Sequence, residues 1–287
     1  MRAVALLALC VLAASGCTMP ASGSGGVVIY YFEPSFQTVY SGEPIDFRLM
    51  VENKGTVDAD EVSAKIIGLD TWQGSSEGGN CDTALSSLAG AVPSIGAPGG
   101  SANCKWTYVA PEVPKGLSSG YSPTARVYYS CKTHMIKSLF FAPSREIRMM
   151  MDRGESIPSQ TASQTQGPIS IEIKGNTPMR FWEDSVEFPI AITITNTGGG
   201  VVCKSKDECD SDDGLSKLTV NVDGGNDIAM ECGDEVIELW QGKSNTLICR
   251  ATFSGLSDAG PSTRLIRVTA SYGYYVDKQA QVTVQKR

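Results

Sequence analysis

The sequence predicts an all-β protein built from two tandem β-sandwiches, and three matched landmarks carry that expectation. Residues 47–55 (FRLMVENKG) and 188–198 (FPIAITITNTG) are alternating apolar runs that both end in Asn-x-Gly. Further on, a small-residue turn leads into Cys104-Lys105-Trp106-Thr107-Tyr108 in one half and Cys249-Arg250-Ala251-Thr252-Phe253 in the other. The halves then close on Arg126-Val127-Tyr128-Tyr129-Ser130 and Arg267-Val268-Thr269-Ala270-Ser271. Landmarks recurring in one order are the mark of an internal repeat, here two copies of roughly 120 residues.

Each element follows from local pattern. Residues 27–32 (VVIYYF) are rich in β-branched and aromatic side chains and read as a strand. Ile45, Phe47, Leu49 and Val51 alternate with polar neighbours, which gives one buried and one wet face. Val186, Phe188, Ile190, Ile192 and Ile194 repeat the stripe in the second copy. Between stripe and second cysteine the copies diverge, with a Gly/Ser/Ala-rich loop at 74–100 in the first and the polar segment 203–213 in the second. The first copy is expected to finish with strands at 121–129, 136–141 and 145–150, with a turn at 131–135. The second finishes at 264–271 and 279–284. The expected division is residues 27–151 and 169–287 as the two domains, joined by 152–168, whose Ser, Thr and Gln content reads as a flexible linker.

Composition limits the function. The formal net charge is −7 with no basic cluster, so nucleic acid is not an expected partner. Met1-Arg2 followed by an apolar run at 3–14 has the form of a signal peptide and is too short to span a bilayer. Ser15-Gly16-Cys17 then resembles the lipobox of prokaryotic lipoproteins, which implies that residues 1–17 are a lipoprotein-type signal and that Cys17 is acylated. Ordinary secretion with Cys17 unmodified is the alternative. Residues 18–26 read as a Gly/Ser-rich tether. The expected location is the cell envelope, facing away from the cytoplasm and held to the membrane through the N-terminal lipid.

Export explains the nine cysteines. The repeat aligns Cys104 with Cys249, so Cys81 and Cys232 are their expected disulfide partners. Cys203 and Cys209 are close enough for a local staple, and Cys131, which aligns with Tyr272, is left as a free thiol or an intermolecular bridge.

The recurring Phe-x-apolar-x-apolar-x-Asn-x-Gly strand and turn resembles the CARDB-type Ig-like domains of archaeal and bacterial surface lipoproteins. That resemblance covers both halves and implies Ig-like sandwiches with a spacer or adhesion role and no transferable catalytic set. Surface or envelope proteins would be the partners.

Rival chemistry is sparse. The single histidine, His134, has no motif around it that would make it a catalytic base. An acidic run, Asp207 through Asp213, offers Asp207, Asp210 and Asp212 as oxygen ligands for calcium, though its spacing departs from the helix-loop-helix motif. Trp72 and Trp182 stand in expected loops, where a sugar platform can form. The alternatives to a non-enzymatic surface module are therefore a calcium- or carbohydrate-binding accessory lipoprotein, or an envelope enzyme with carboxylates paired only in space.

Overall fold

Alternation of buried and exposed residues, clearest over Pro44–Asn53 and Ser185–Asn196, marks the strands and the dry face of each sheet. The computed structural model describes residues 25–74, 81, 85–175, 177–181, 185–254 and 260–286. The first half supplies β1 (Val27–Pro34), β2 (Thr38–Tyr40), β3 (Pro44–Asn53), β4 (Ala59–Ile67), β5 (Gln73–Gly74), β6 (Ser87–Leu88), β7 (Ser101–Val109), β8 (Ser118–Tyr121) and the long β9 (Thr124–Pro143). Helix α1 (Ser144–Asp152) and β10 (Ala162–Gln164) follow. The second half supplies β11 (Ile169–Lys174), β12 (Met179–Phe181), β13 (Ser185–Asn196), β14 (Val201–Cys203), β15 (Lys217–Asp223), β16 (Ile228–Glu231), β17 (Val236–Glu238), β18 (Ser244–Ser254), the long β19 (Ser262–Gln279) and β20 (Val282–Gln285). The protein is all-β with little helix.

The repeat is written into the strand order. One four-stranded sheet runs β1-β3-β7-β5 and its counterpart runs β11-β13-β18-β16. Between them lies a shared sheet, β17-β15-β19-β9-β4-β6, whose order reads as the same half-sheet from either end. All 18 residues of β19 pair antiparallel with β9, from Ser262 opposite Phe141 to Gln279 opposite Thr124. The halves are thus fused through their central strands and share one contiguous core. This differs from two sandwiches free to swivel on a flexible linker. Of the expected linker, Asp152 ends α1, and 162–164 adds to the edge of β9 beside Met135–Lys137.

Two sequence expectations change here. Cys131–Met135 is the middle of β9, not a turn. Val127, Tyr129, Cys131, Thr133 and Met135 all face the core, and Thr133 keeps the alternation going because its buried hydroxyl pairs with that of Tyr272 at 2.8 Å. Residues 145–150 are helical rather than extended. Met149–Met151 lie in α1, where unbranched side chains favour helix, and Ile147 packs with Phe140 and Ala142 on the outer face of β9.

The Asn-x-Gly signature has one cause in both halves. Asn53 Oδ1 accepts the Gly55 N–H at 2.9 Å and its amide donates to Val57 O, while Asn196 Oδ1 accepts Gly198 N–H at 3.1 Å and its amide donates to Gly200 O. An Asx turn of this kind holds the chain at the end of each core strand. At Gly55 a Cβ would lie 2.8 Å from Gln166 O, so only glycine lets the segment between the halves approach.

Three disulfides form: Cys81–Cys104, Cys232–Cys249 and Cys203–Cys209, with Cα separations of 4.9, 4.1 and 5.1 Å. The first two are the pairs the repeat alignment expects and the third is the local staple expected from its short spacing; all three match an oxidising, exported environment. Cys131 is buried and free. No helix among the described residues is long and apolar enough to cross a membrane.

Candidate functional site at the junction of the halves

The strands that end each repeat are used by the other one. β9 starts against β4 of its own half, but its last residues run parallel to β12, with Met179 opposite Phe141. The Phe141 ring then packs on Phe188 and Phe253 of the second half, with centroids 5.6 and 4.8 Å away. Reciprocally, β20 enters the first half between β2 and β8, with Thr38 opposite Thr283 and Tyr121 opposite Val282. Val282 and Val284 are buried there.

Matched lysines reinforce the exchange. Lys137 of β9 donates to the Ile173 carbonyl of β11 at 2.6 Å, and Lys278 of β19 donates to the Tyr30 carbonyl of β1 at 2.7 Å. Each ammonium satisfies backbone carbonyls of the opposite half's first strand.

Inside the junction, Tyr129 and Tyr274 stand ring to ring at 5.6 Å. Tyr274 donates to Asn196 Oδ1 at 2.9 Å, tying the central pairing to the second turn. Burial raises the Tyr129 and Tyr272 hydroxyls well above their ordinary range and also raises the Cys131 thiol, so all three stay neutral.

Outside the junction, the second half lays a disulfide-closed loop over the shared sheet. Cys203 and Cys209 are buried against Tyr128, with Leu215 and Tyr275 beside them. Gly273 permits this, since a Cβ there would collide with the backbone of Ser205 and Lys206. The loop delivers Asp210 to the first half, where Lys65 Nζ and Tyr128 OH each donate to it at 2.7 Å. Burial pushes the Asp210 carboxyl up, but the bonds from Lys65 and Tyr128 outweigh it and hold the group below its ordinary value. Next to it, Arg126 grips Asp277 through two 2.8 Å bonds and lies over the Tyr275 ring. Such fork-on-fork pairing adds geometric specificity as well as energy.

Asp210 is therefore used as an inter-half clamp and does not converge with Asp207 and Asp212. Among the described residues, no group of three or more His, Cys, Asp or Glu could hold a metal ion. Trp72 is 5% exposed and packs edge-on against Phe47 and Tyr121, so it presents no platform to a sugar. Cys17 and Trp182 lie outside the described residues. His134 sits mid-strand on the outer face with Nδ1 3.1 Å from Thr269 Oγ1. Sequence reasoning passed over Trp240, which is 76% exposed at the tight turn between β17 and β18. A wide-mouthed depression of about 680 Å³ lies beside the Cys232–Cys249 bond, where Arg250 stands near Glu187 and Glu231.

No family model and no curated protein matches the chain. Among solved structures, it is similar at a low level to the secreted serine protease VesC from Vibrio cholerae (10% identity, TM-score 0.23, 86% of this chain and 50% of that one). It is comparably similar to the sporulation control protein Spo0M from Bacillus subtilis (10%, TM-score 0.19, 62% and 69%) and to the Yersinia pseudotuberculosis adhesin InvE (8%, TM-score 0.20, 92% and 61%). The chain thus spans half the length of the protease, and likeness at these TM-scores carries no argument about function.

Proposed function

We propose that this is an exported, lipid-anchored and non-enzymatic surface module, made of two Ig-like sandwiches of the CARDB type and serving as a rigid spacer or adhesion element. The observation that carries the reading is the reciprocal closure of the halves. A spacer must transmit position without bending, and a junction made of a full-length strand pair, two lysine clamps and the Asp210 clamp resists bending at the point where tandem modules usually flex. The disulfides support a location outside the reducing cytoplasm, and Cys17 would supply the anchor.

Two experiments test this. Cys17→Ser should move the protein from the membrane to the soluble envelope fraction or the medium, and continued membrane retention would remove the anchor from the account. Pull-down from envelope extract with the mature protein, with and without calcium, should recover a specific surface or envelope protein in a calcium-independent manner. Turnover of an envelope polymer that disappears on changing Glu187 or Glu231 would replace the spacer reading with an enzymatic one. The depression around Arg250 is the observation that favours the ligand-binding alternative, and an Arg250→Ala variant that loses the recovered partner would point there.

A further inference from the structure

We propose that the junction is exchangeable between copies, so that a second copy of this chain is a partner: the first half of one chain pairs with the second half of another, and the reverse pair closes a two-chain dimer. This goes beyond the surface-module reading and does not depend on it.

The central pairing is self-complementary. Cys131 lies opposite Tyr272 in the β9–β19 register, and the repeat alignment makes the same two residues equivalent. A residue that faces its own equivalent marks a two-fold axis, here a pseudo-axis through the shared sheet. The strand orders on either side mirror each other about that point, and so do the contacts of Lys137 and Lys278. Such an interface is isologous in kind, the form that closed dimers use.

A half is also incomplete without the other. Without β20, β2 and β8 lose the strand between them, and without the end of β9, Phe188 and Phe253 lose the Phe141 ring. An unpaired half therefore takes any available complement.

The covalent link does not enforce which complement is taken. Between α1 and β10, residues 153–161 are mostly exposed, and 155–160 pair with no strand. Pro158 favours an extended residue before it, which suits a hinge that straightens. Tethering by such a segment gives an effective concentration in the millimolar range. Exchange between copies thus competes once the chain concentration approaches that range.

The test uses Tyr272→Cys, which sets a second thiol directly opposite Cys131, within reach of a disulfide. The mature protein is unfolded in denaturant with its native disulfides intact, refolded over a concentration series, oxidised and run on a non-reducing gel. In the single-chain fold the new bond is intrachain, and in the exchanged dimer it links two chains. We expect covalent dimer to be at least tenfold more abundant after refolding at ~1 mM than at ~1 μM. If peptide mapping finds Cys131 bonded to the introduced thiol but every concentration gives single-chain protein only, the proposal is overturned. Should loss of Tyr272 prevent folding, Arg126→Cys with Asp277→Cys asks the same question on the outer face, since these residues are also directly opposite. Co-refolding of two differently tagged wild-type chains at ~1 mM supplies a third readout, in which no co-purification of the tags counts against exchange.

Discussion

Cys131 and Tyr272 face each other at the centre of the β9–β19 pairing, and each is the other's counterpart in the repeat. The pair explains why a lone cysteine survives in a chain whose other described cysteines are bonded. Tyr272 fills the space across from it, so the thiol has no sulfur partner. Burial raises the Cys131 pKa and keeps it protonated, so it should resist alkylation in the native protein at pH 8 and react only on unfolding. Mass spectrometry after iodoacetamide decides this, and native labelling as fast as that of a free peptide thiol contradicts it.

The Asp210 clamp predicts a pH dependence. A carboxyl held below its unfolded value contributes stability above the unfolded pKa of about 4 and loses it as pH falls through the folded value. Both partners of the Lys65–Asp210 pair are partly exposed, so Asp210→Asn should cost only about 0.5–1 kcal/mol at pH 7. Thermal melts of the two proteins should converge near pH 2, where the wild-type carboxyl is also neutral. A difference that stays constant from pH 7 to pH 2 would show that the charge does not matter.

The two lysine clamps should behave alike. Lys137→Ala and Lys278→Ala each remove a charged donor from a carbonyl of the opposite half, and each should cost about 1–2 kcal/mol in urea unfolding. Both should shift the whole transition. If Lys278→Ala softens only the second half, the clamp does not hold β1.

Ending the chain after Gln279 removes β20 and with it the buried Val282 and Val284. Burial of two valines at about 1.5–3 kcal/mol each makes this a large loss for the first half. Trp72 and Trp106 are both buried in that half, so their fluorescence should shift to the red at a lower urea concentration than in the intact chain. An unchanged midpoint would show that the C-terminal strand is an ornament on the first half and not part of it.

The repeat, its strand stripes and its cysteine pairs were legible in the sequence because each is a local pattern that occurs twice. The fusion was not. The polar string Lys132-Thr133-His134 reads as a turn, yet Thr133 buries its hydroxyl against Tyr272, a partner 139 residues away. Pairing of that kind has no local signal. The signal that was present is the unbroken alternation from Val127 to Met135, with Thr133 in an apolar slot. The same limit hid the use of Asp210. Its acidic neighbours suggest a cation, while its actual partners, Lys65 and Tyr128, come from the other half. Trp72 does lie in a loop, as expected, but it is folded back and packed by Phe47 and Tyr121, a burial that only the assembled core supplies.

The central claim is that each half completes the other, and Phe141 tests it most directly. This first-half residue is fully buried, with its ring against Phe188 and Phe253 of the second half. Phe141→Ala should cost about 3–5 kcal/mol. Amide hydrogen exchange of this variant should show lost protection along β18, around Ile248–Phe253, as well as along the end of β9. Loss confined to residues 124–143, with β18 protected as in the parent, would mean that the halves stand independently and would contradict the account.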